Sequence, residues 1–475
     1  MPQFPFIGAA YAARSANFDA QVCVNLYPEV SGSGSSKSPA ALIGTPGLTL
    51  FATLPTGGVQ GLLRFSAAVA VAVAGGNVYL VSAGGAVEQI GAIGSASGPV
   101  SMASNGTQVM LVTGPAGYVI DPAAKTITAI STDAFSGADR VDFVDGYFVF
   151  NQPGTGKFQI TGLYSTAIDG LDFATAEGSP DLLVSLIVDH RELWLFGETS
   201  TEVFFDSGNS DFPFERIQGA FMEHGCAAAQ SVAKLDNSVF WMGADDKGRG
   251  IVFRAQGYVP QRISTHALES AIESYGDISD AIAWTYQQEG HAFYVLTFPS
   301  AGRTWCFDAA TSLWHERAWH DADGVQQRHR GACHMAFAGR NIVGDWESGR
   351  LYALDLDAYT DNGDAIHRVR AASHIAAPDY QLQFFRALQI DMETGVGLQD
   401  GQGADPQAML QWSDDGGHTW SNEHWVSIGK AGQHKARARW RRLGRSRDRV
   451  FRVTITDPVK ICLIGASVEV GAGGA

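Results

Sequence analysis

The sequence predicts an all-β fold. We read a β-propeller of about seven blades, a count of six or eight being compatible, flanked by an extended N-terminal arm and a C-terminal β-sandwich-like domain. Three observations predict it. Glycine is abundant, at 55 of 475 residues with 17 prolines, as many tight turns require. Short apolar runs separated by Gly, Asn or Asp turns recur at roughly blade spacing, about 30–50 residues apart. Near Pro378 the pattern changes to longer alternating strands that include one strongly marked hairpin.

Residues 1–57 read as an extended arm and linker. Asn17-Phe18-Asp19 and Val24-Asn25-Leu26-Tyr27-Pro28 are short anchors, Ser31–Ser36 is a flexible Gly/Ser stretch, and Thr45-Pro46-Gly47-Leu48 is a turn. Residues 58–375 carry the repeats. The first runs Leu62–Phe65, Val69–Ala74, Gly75-Gly76-Asn77 and Val78–Val81. Later units open at Val100, Val141, Leu186, Ser231, Ala281 and Gly331, each a strand, a tight turn, an apolar strand and a further strand. A short helical insertion is expected over 264–276, with Ser264 as N-cap and Leu268, Ile272 and Tyr275 on one face. Residues 376–475 form the last domain. It opens with the alternating strand Phe384–Glu393, passes a Gly-rich loop at 395–406 and ends in a Gly-Ala tail.

Ser413-Asp414-Asp415-Gly416-Gly417-His418-Thr419-Trp420 matches the Asp-box pattern at Ser413, Asp415, Gly417, Thr419 and Trp420. The glycines permit positive φ in a tight turn, the carboxylate accepts from turn amides, and the indole forms an apolar base. The motif therefore staples a hairpin. It occurs in sialidases and also in many non-enzymatic β-proteins, so it says little about chemistry.

The net charge is −16, from 33 Lys/Arg and 49 Asp/Glu. Residues 435–452 hold nine of the bases and only one acid, Asp448, leaving 24 bases against 48 acids elsewhere. Such a balance argues against a protein that grips nucleic acid by counterion release. Lys435, Arg437, Arg439 and Arg441 alternate, so a strand would show them on one face, with Trp440, Ala436 and Ala438 on the other. Arg442 and Arg445 follow. These cations make most sense against an acidic partner, foremost a neighbouring copy of the same chain; a solvated face and DNA contact are the alternatives.

Candidate chemistry is sparse. His315, His320, His329 and His334 lie near Cys333, Asp321 and Asp323, residue types that bind zinc, but the spacing fits no metal pattern. His190-Arg191-Glu192 reads as a solvated turn. No Walker loop, nucleophile elbow or HExxH is present, and the Phe/Tyr-Arg-Ile-Pro signature of sialidases is missing. No enzyme, cofactor or metal is expected. The five cysteines are scattered and odd in number, which suggests small buried hydrophobes. Met1-Pro2-Gln3-Phe4-Pro5 does not resemble a signal peptide, and the longest apolar run, Ala67 to Ala74, is too short to span a bilayer.

Over most of its length the chain resembles the tail hub, or nozzle, proteins of short-tailed phages, the packaged-DNA stabilisation proteins. The resemblance rests on Thr45-Pro46-Gly47-Leu48; on the Asp189–Phe205 strands with Phe196-Gly197 and Thr201-Glu202; and on the helix followed by Gly290-His291. It is strongest where Trp440, Leu443, Gly444 and Arg445 precede Phe451-Arg452-Val453 and Asp457-Pro458-Val459. It implies a propeller protein in a homo-hexameric ring below the portal–adaptor ring of the virion, assembled in the host cytoplasm. That ring would close the head after packaging, meet a fibre, spike or needle, and pass DNA without specific binding. An acidic wall suits such a conduit. The full Asp box and the Gly395–Pro406 loop depart from the family's best-known pattern. A glycan-binding or sialidase-like propeller for host recognition is the alternative, and it predicts an arginine-lined pocket on the propeller axis.

Overall fold

A computed structural model describes residues 2–472 except 34–35, 95–97, 177, 246–247 and 378. The centre of the Ser31–Ser36 stretch, the end of the Gly-Ala tail and Pro378 therefore lie outside the described residues. Among the described residues the chain is almost entirely β, with one α-helix.

Among the described residues seven antiparallel units follow one another, each of four strands except unit five, where the short strand Gly225–Cys226 adds a fifth. Unit one comprises Val59–Arg64, Val69–Ala74, Asn77–Ser82 and Val87–Ala92, joined in sequence order. Units two to five open at Ser101, Val141, Leu183 and Ala233. Unit six spans Ile282 to Glu316. Unit seven takes Gly331–Phe337, Arg340–Asp345 and Arg350–Asp355 from one end of the chain and Gly47–Thr53 from the other. The first strands pack side by side around a ring, which closes where Gly331–Phe337 meets Val59–Arg64. This is a β-propeller, closed by an N-terminal strand.

The middle strands explain why the repeats were readable. Val69–Ala74 and Val109–Val112 are buried on both faces and read as continuous apolar runs. The fourth strands, such as Thr126–Ala129 and Ile168–Thr175, are largely exposed and carry little apolar signal, so the sequence pattern shows three strands per unit. The turns use the conformations expected. Gly75 and Gly76 take φ of 52° and 75° between two strands of unit one, and an added Cβ on Gly75 would approach Thr56.

The helix spans His266–Ser274, between units five and six, and buries Leu268 and Ile272. Its N-cap is Thr265 rather than Ser264, because the Thr265 side chain accepts from Leu268 N. The Ser264 hydroxyl instead accepts from Val252 N and donates to Glu269. No helix among the described residues is long and apolar enough to cross a membrane. All five cysteines are free, and Cys23, Cys226 and Cys306 are buried.

Two sheets face each other at the C-terminal end. One orders Gln383–Met392 between Cys462–Ala472 and the edge strand Ala438–Arg441. The other runs from Arg368–Ala371 through Asp448–Ile455 and Gln407–Ser413 to the edge strand His424–Ser427. Alternation along Asp448–Ile455 turns Phe451, Val453 and Ile455 inward against Leu388, Ile390, Leu410 and Val468.

The first 57 residues stay extended, yet they are not a separate arm. Ala20–Val24 lies between unit six and the sandwich, parallel to Leu313–Glu316 at Val24 and antiparallel to Arg368–Ala371. Leu26–Val30 and Ala40–Gly44 form a hairpin that extends the first sheet through Cys462–Ala472. The segment is pinned by buried polar groups. Arg370 donates to the carbonyls of Phe6 and Ala9 at 2.6 and 2.9 Å and to Gln21 at 2.6 Å. Asn25, at φ 52°, donates to Ala318 O and His367 O and accepts from Ala318 N. Each satisfies carbonyls that would otherwise be buried without a partner.

Candidate assembly interface

The basic segment is built on a sheet edge. Ala438–Arg441 pairs on one side only, with Ala387–Ile390. Ala438 and Trp440 turn into the core, and Trp440 Nε1 donates to His424 O at 2.6 Å, tying the two edge strands together. Arg439 and Arg441 turn outward, as alternation requires. Lys435 and Arg437 precede the strand rather than continuing it, although both are exposed. At Arg442 the backbone enters positive φ, 60°, and Gly444 follows at 80°. This kink sends Leu443 inward and lets Arg445–Ser446 resume pairing with Gln383–Phe384.

Arg439 meets Glu469 at 3.4 Å. Among the described residues Lys435, Arg437, Arg441, Arg442 and Arg445 are exposed and form no ion pair. Cations of this kind blunt a free edge against uncontrolled pairing and leave it available to an acidic surface. Exposed Phe384 pairs with Arg445, and exposed Trp425 lies on the other edge strand, His424–Ser427, which touches Ala438–Arg441.

Two further bases of the run are not surface residues. Arg449 is buried and holds Asp414 through two bonds, at 2.7 and 2.8 Å, with Phe385 and Trp412 rings 4.5 and 5.2 Å from its guanidinium. Arg452 bonds Gln411 and lies 3.9 Å over the Trp420 ring. Their positions in a run of like residues gave no signal that Arg449 is buried and Arg452 half-buried; only the strand register separates them from the exposed bases.

The Asp box forms its turn. Ser413 donates to Asp415 at 2.6 Å and accepts from Gly417 N, while Asp415 takes the amide and hydroxyl of Thr419 at 2.8 and 2.6 Å. These bonds, from Ser413 and Thr419, hold the Asp415 carboxyl well below the usual range. Gly416 and Gly417 take φ of 75° and 99°. A Cβ on Gly416 would come within 2.0 Å of Asn17, so the turn also seats the N-terminal segment.

The histidines are dispersed. Arg317 donates to buried His315; His334 stacks on Trp284 at 5.7 Å; His320 stacks on His367 at 3.9 Å. Burial lowers the His329 ring to about 3 and the His334 and His320 rings to about 4. No group of three or more potential metal ligands occurs among the described residues. The 190–192 turn is solvated as expected, with His190 and Arg191 exposed; His190 bridges Asp189 and Asn237 and Arg191 pairs with Asp145 at the surface. A cavity of about 470 Å³ opens where the first strands begin around the axis; among the described residues Arg328 is the one arginine lining it.

His291, which the sequence marks only as part of Gly290-His291, has a structural role of its own. It is buried between Asp308 at 2.8 Å and Glu29 at 2.6 Å, so it clasps the N-terminal hairpin to unit six. The Asp308 hydrogen bond is the main cause that pushes the ring up to about 9.

A propeller joined to a sandwich with a charged free edge defines the architecture: a two-part β-protein. Residues 2–359 match the phage-stabilisation family described as bacteriophage P22 Gp10, beta-propeller, and residues 368–471 match bacteriophage P22 Gp10, beta-sandwich. The chain belongs to this family, whose members are structural tail-hub proteins that stabilise packaged DNA. It is thus a phage virion structural protein that assembles with portal and tail components. No curated protein matches it. Solved structures with similarity include the computationally designed Ika8 protein (15% identity, 71% of this chain and 100% of that one, TM-score 0.39). The N-terminal domain of Nup159 is 10% identical over 70% of this chain and 98% of its own, with TM-score 0.42. The extracellular domain of the putative one-component system BT4673 from B. thetaiotaomicron is 10% identical over 82% of this chain and 48% of its own, with TM-score 0.44.

Proposed function

We propose that copies of this chain form a homo-hexameric ring below the portal–adaptor ring, assembled in the host cytoplasm, without enzymatic activity. The ring closes the head after packaging, meets a fibre, spike or needle, and lets DNA out on ejection. The observation that carries this reading is the separation of charge: an acidic body with a cluster of exposed cations that, among the described residues, lie outside any ion pair on the sandwich edge, at Lys435, Arg437, Arg441, Arg442 and Arg445. An acidic lumen repels the phosphate backbone and lets DNA slide, whereas cations at the edge are free to join subunits. Native mass spectrometry of the full chain added to the purified portal–adaptor ring tests it. Six added copies are expected; any other stoichiometry, or none, contradicts the hexamer.

A further inference from the structure

The outer edge of unit three is an unpartnered sheet edge with an unusual surface. Ile168–Thr175 pairs only with Lys157–Thr161. Leu171 is 83% exposed on it, and the preceding turn leaves Leu163 and Tyr164 58% and 70% exposed. Unit four adds exposed Phe205, Phe221 and Leu182 nearby in the sequence of the ring. A free strand of this kind, which exposes Leu171 between Asp169 and Asp172, presents both apolar and acidic side chains to a partner.

The charge around it identifies what covers it. Residues 141–215 hold 13 acids against two bases, Lys157 and Arg191. Asp169, Asp172, Asp206 and Asp211 form no ion pair among the described residues. They also crowd one another: Asp172 is pushed up by burial and by Asp169, and Tyr147 by burial, Asp206 and Asp172. The basic, aromatic edge of the sandwich is the complement, cation for carboxylate and Phe384 and Trp425 for Leu171 and Tyr164.

The two surfaces cannot meet within one molecule. Unit six runs directly into the sandwich through Ala20–Val24, and unit three stands three places from unit six in a ring of seven, on the far side. Complementary patches on opposite ends of one subunit make a heterologous contact, which closes into a ring when the rotation permits.

We infer that the acidic, apolar outer edge of units three and four in one copy docks on the basic edge of the sandwich, Arg437 to Arg445, in the next copy. This rests on the ring reading above and names the surfaces that build it. The test is crosslinking in tails assembled with the full chain carrying both Leu171→Cys and Arg441→Cys, using a bifunctional maleimide. The wild-type chain, with its buried and half-buried cysteines, gives the background. A ladder of linked multimers is expected from the double variant, and linked dimers only when each cysteine is on a separate chain. Ring-bearing tails without the ladder overturn this interface and leave the ring intact. Tails without the chain in a ring overturn both. A charge exchange guards against local misfolding. D169K/D172K alone or R437E/R441E alone should lower incorporation by about tenfold or more, and a chain carrying all four should regain most of it. Failure of the four-fold variant to recover, with thermal melts unchanged, overturns the proposal.

Discussion

His291 concentrates the energetics of the propeller–hairpin junction in one ring. Its pKa is raised from 6.5 in the ordinary state to about 9 in the fold, first by Asp308 and also by Glu29. A raised value means that the folded state holds the proton more tightly. Its contribution is complete below about pH 6.5 and disappears as pH rises through about 9. The magnitude is on the order of 2 kcal/mol, below the full Coulombic figure because Glu29 is partly exposed. Thermal melts between pH 6.5 and 9.5 should fall for the wild type, and His291→Gln should flatten that part of the profile. Arg449 is a second single-residue test. Arg449→Met keeps the stem but removes the bidentate pair with exposed Asp414 and the bond to Leu443 O; a loss of about 1 kcal/mol is expected by chemical denaturation. Arg442→Glu, on the exposed kink of the same run, should leave the midpoint nearly unchanged. The Asp box is a local matter: Asp415→Asn should speed amide exchange over 414–420 with little change in global unfolding.

At the scale of elements, the strands buried on both faces were legible and those that close the fold were not. Val69–Ala74 and His291–Phe298 carry continuous apolar runs that fix the units. Fourth strands such as Val87–Ala92 face solvent and lack that signature. Gly47–Thr53 belongs to unit seven across some three hundred residues, and Ala20–Val24 enters the sandwich across a comparable gap. Local sequence holds no record of such pairing, so the first 57 residues read as an arm. The basic run was legible as alternation only while the strand lasted. The positive φ at Arg442 and Gly444 ends that strand, and Arg449 belongs to the separate strand Asp448–Ile455 of the other sheet, where it is buried. The pairing of Gly47–Thr53 gives a prediction at this scale. A chain beginning at residue 58 loses the outer strand of unit seven and the three strands Ala20–Val24, Leu26–Val30 and Ala40–Gly44 that extend the sandwich sheets. It should fail to unfold cooperatively in calorimetry, whereas the full chain should show a sharp transition.

At the scale of the molecule, an acidic body and a basic edge are parts of one design. Like-charged copies repel at long range, and association must come from matched patches, so it should weaken with salt once the acidic units and the sandwich edge are in contact. Raising ionic strength from about 0.05 M to about 0.5 M should lower the number of copies bound to the portal–adaptor ring, an effect that R437E/R441E should abolish. The family assignment covers both halves of the chain, with the propeller match ending at residue 359 and the sandwich match starting at 368. The structure places the same change of architecture at Arg368–Ala371, the first sandwich strand of the C-terminal segment. The most direct test of the tail-conduit account is cryo electron microscopy of intact particles that contain this chain. A closed six-fold ring of propeller–sandwich subunits directly below the portal–adaptor density, with an acidic lumen, is the predicted result. Particles in which the chain is missing from that position, or decorates the periphery as separate copies, would contradict it.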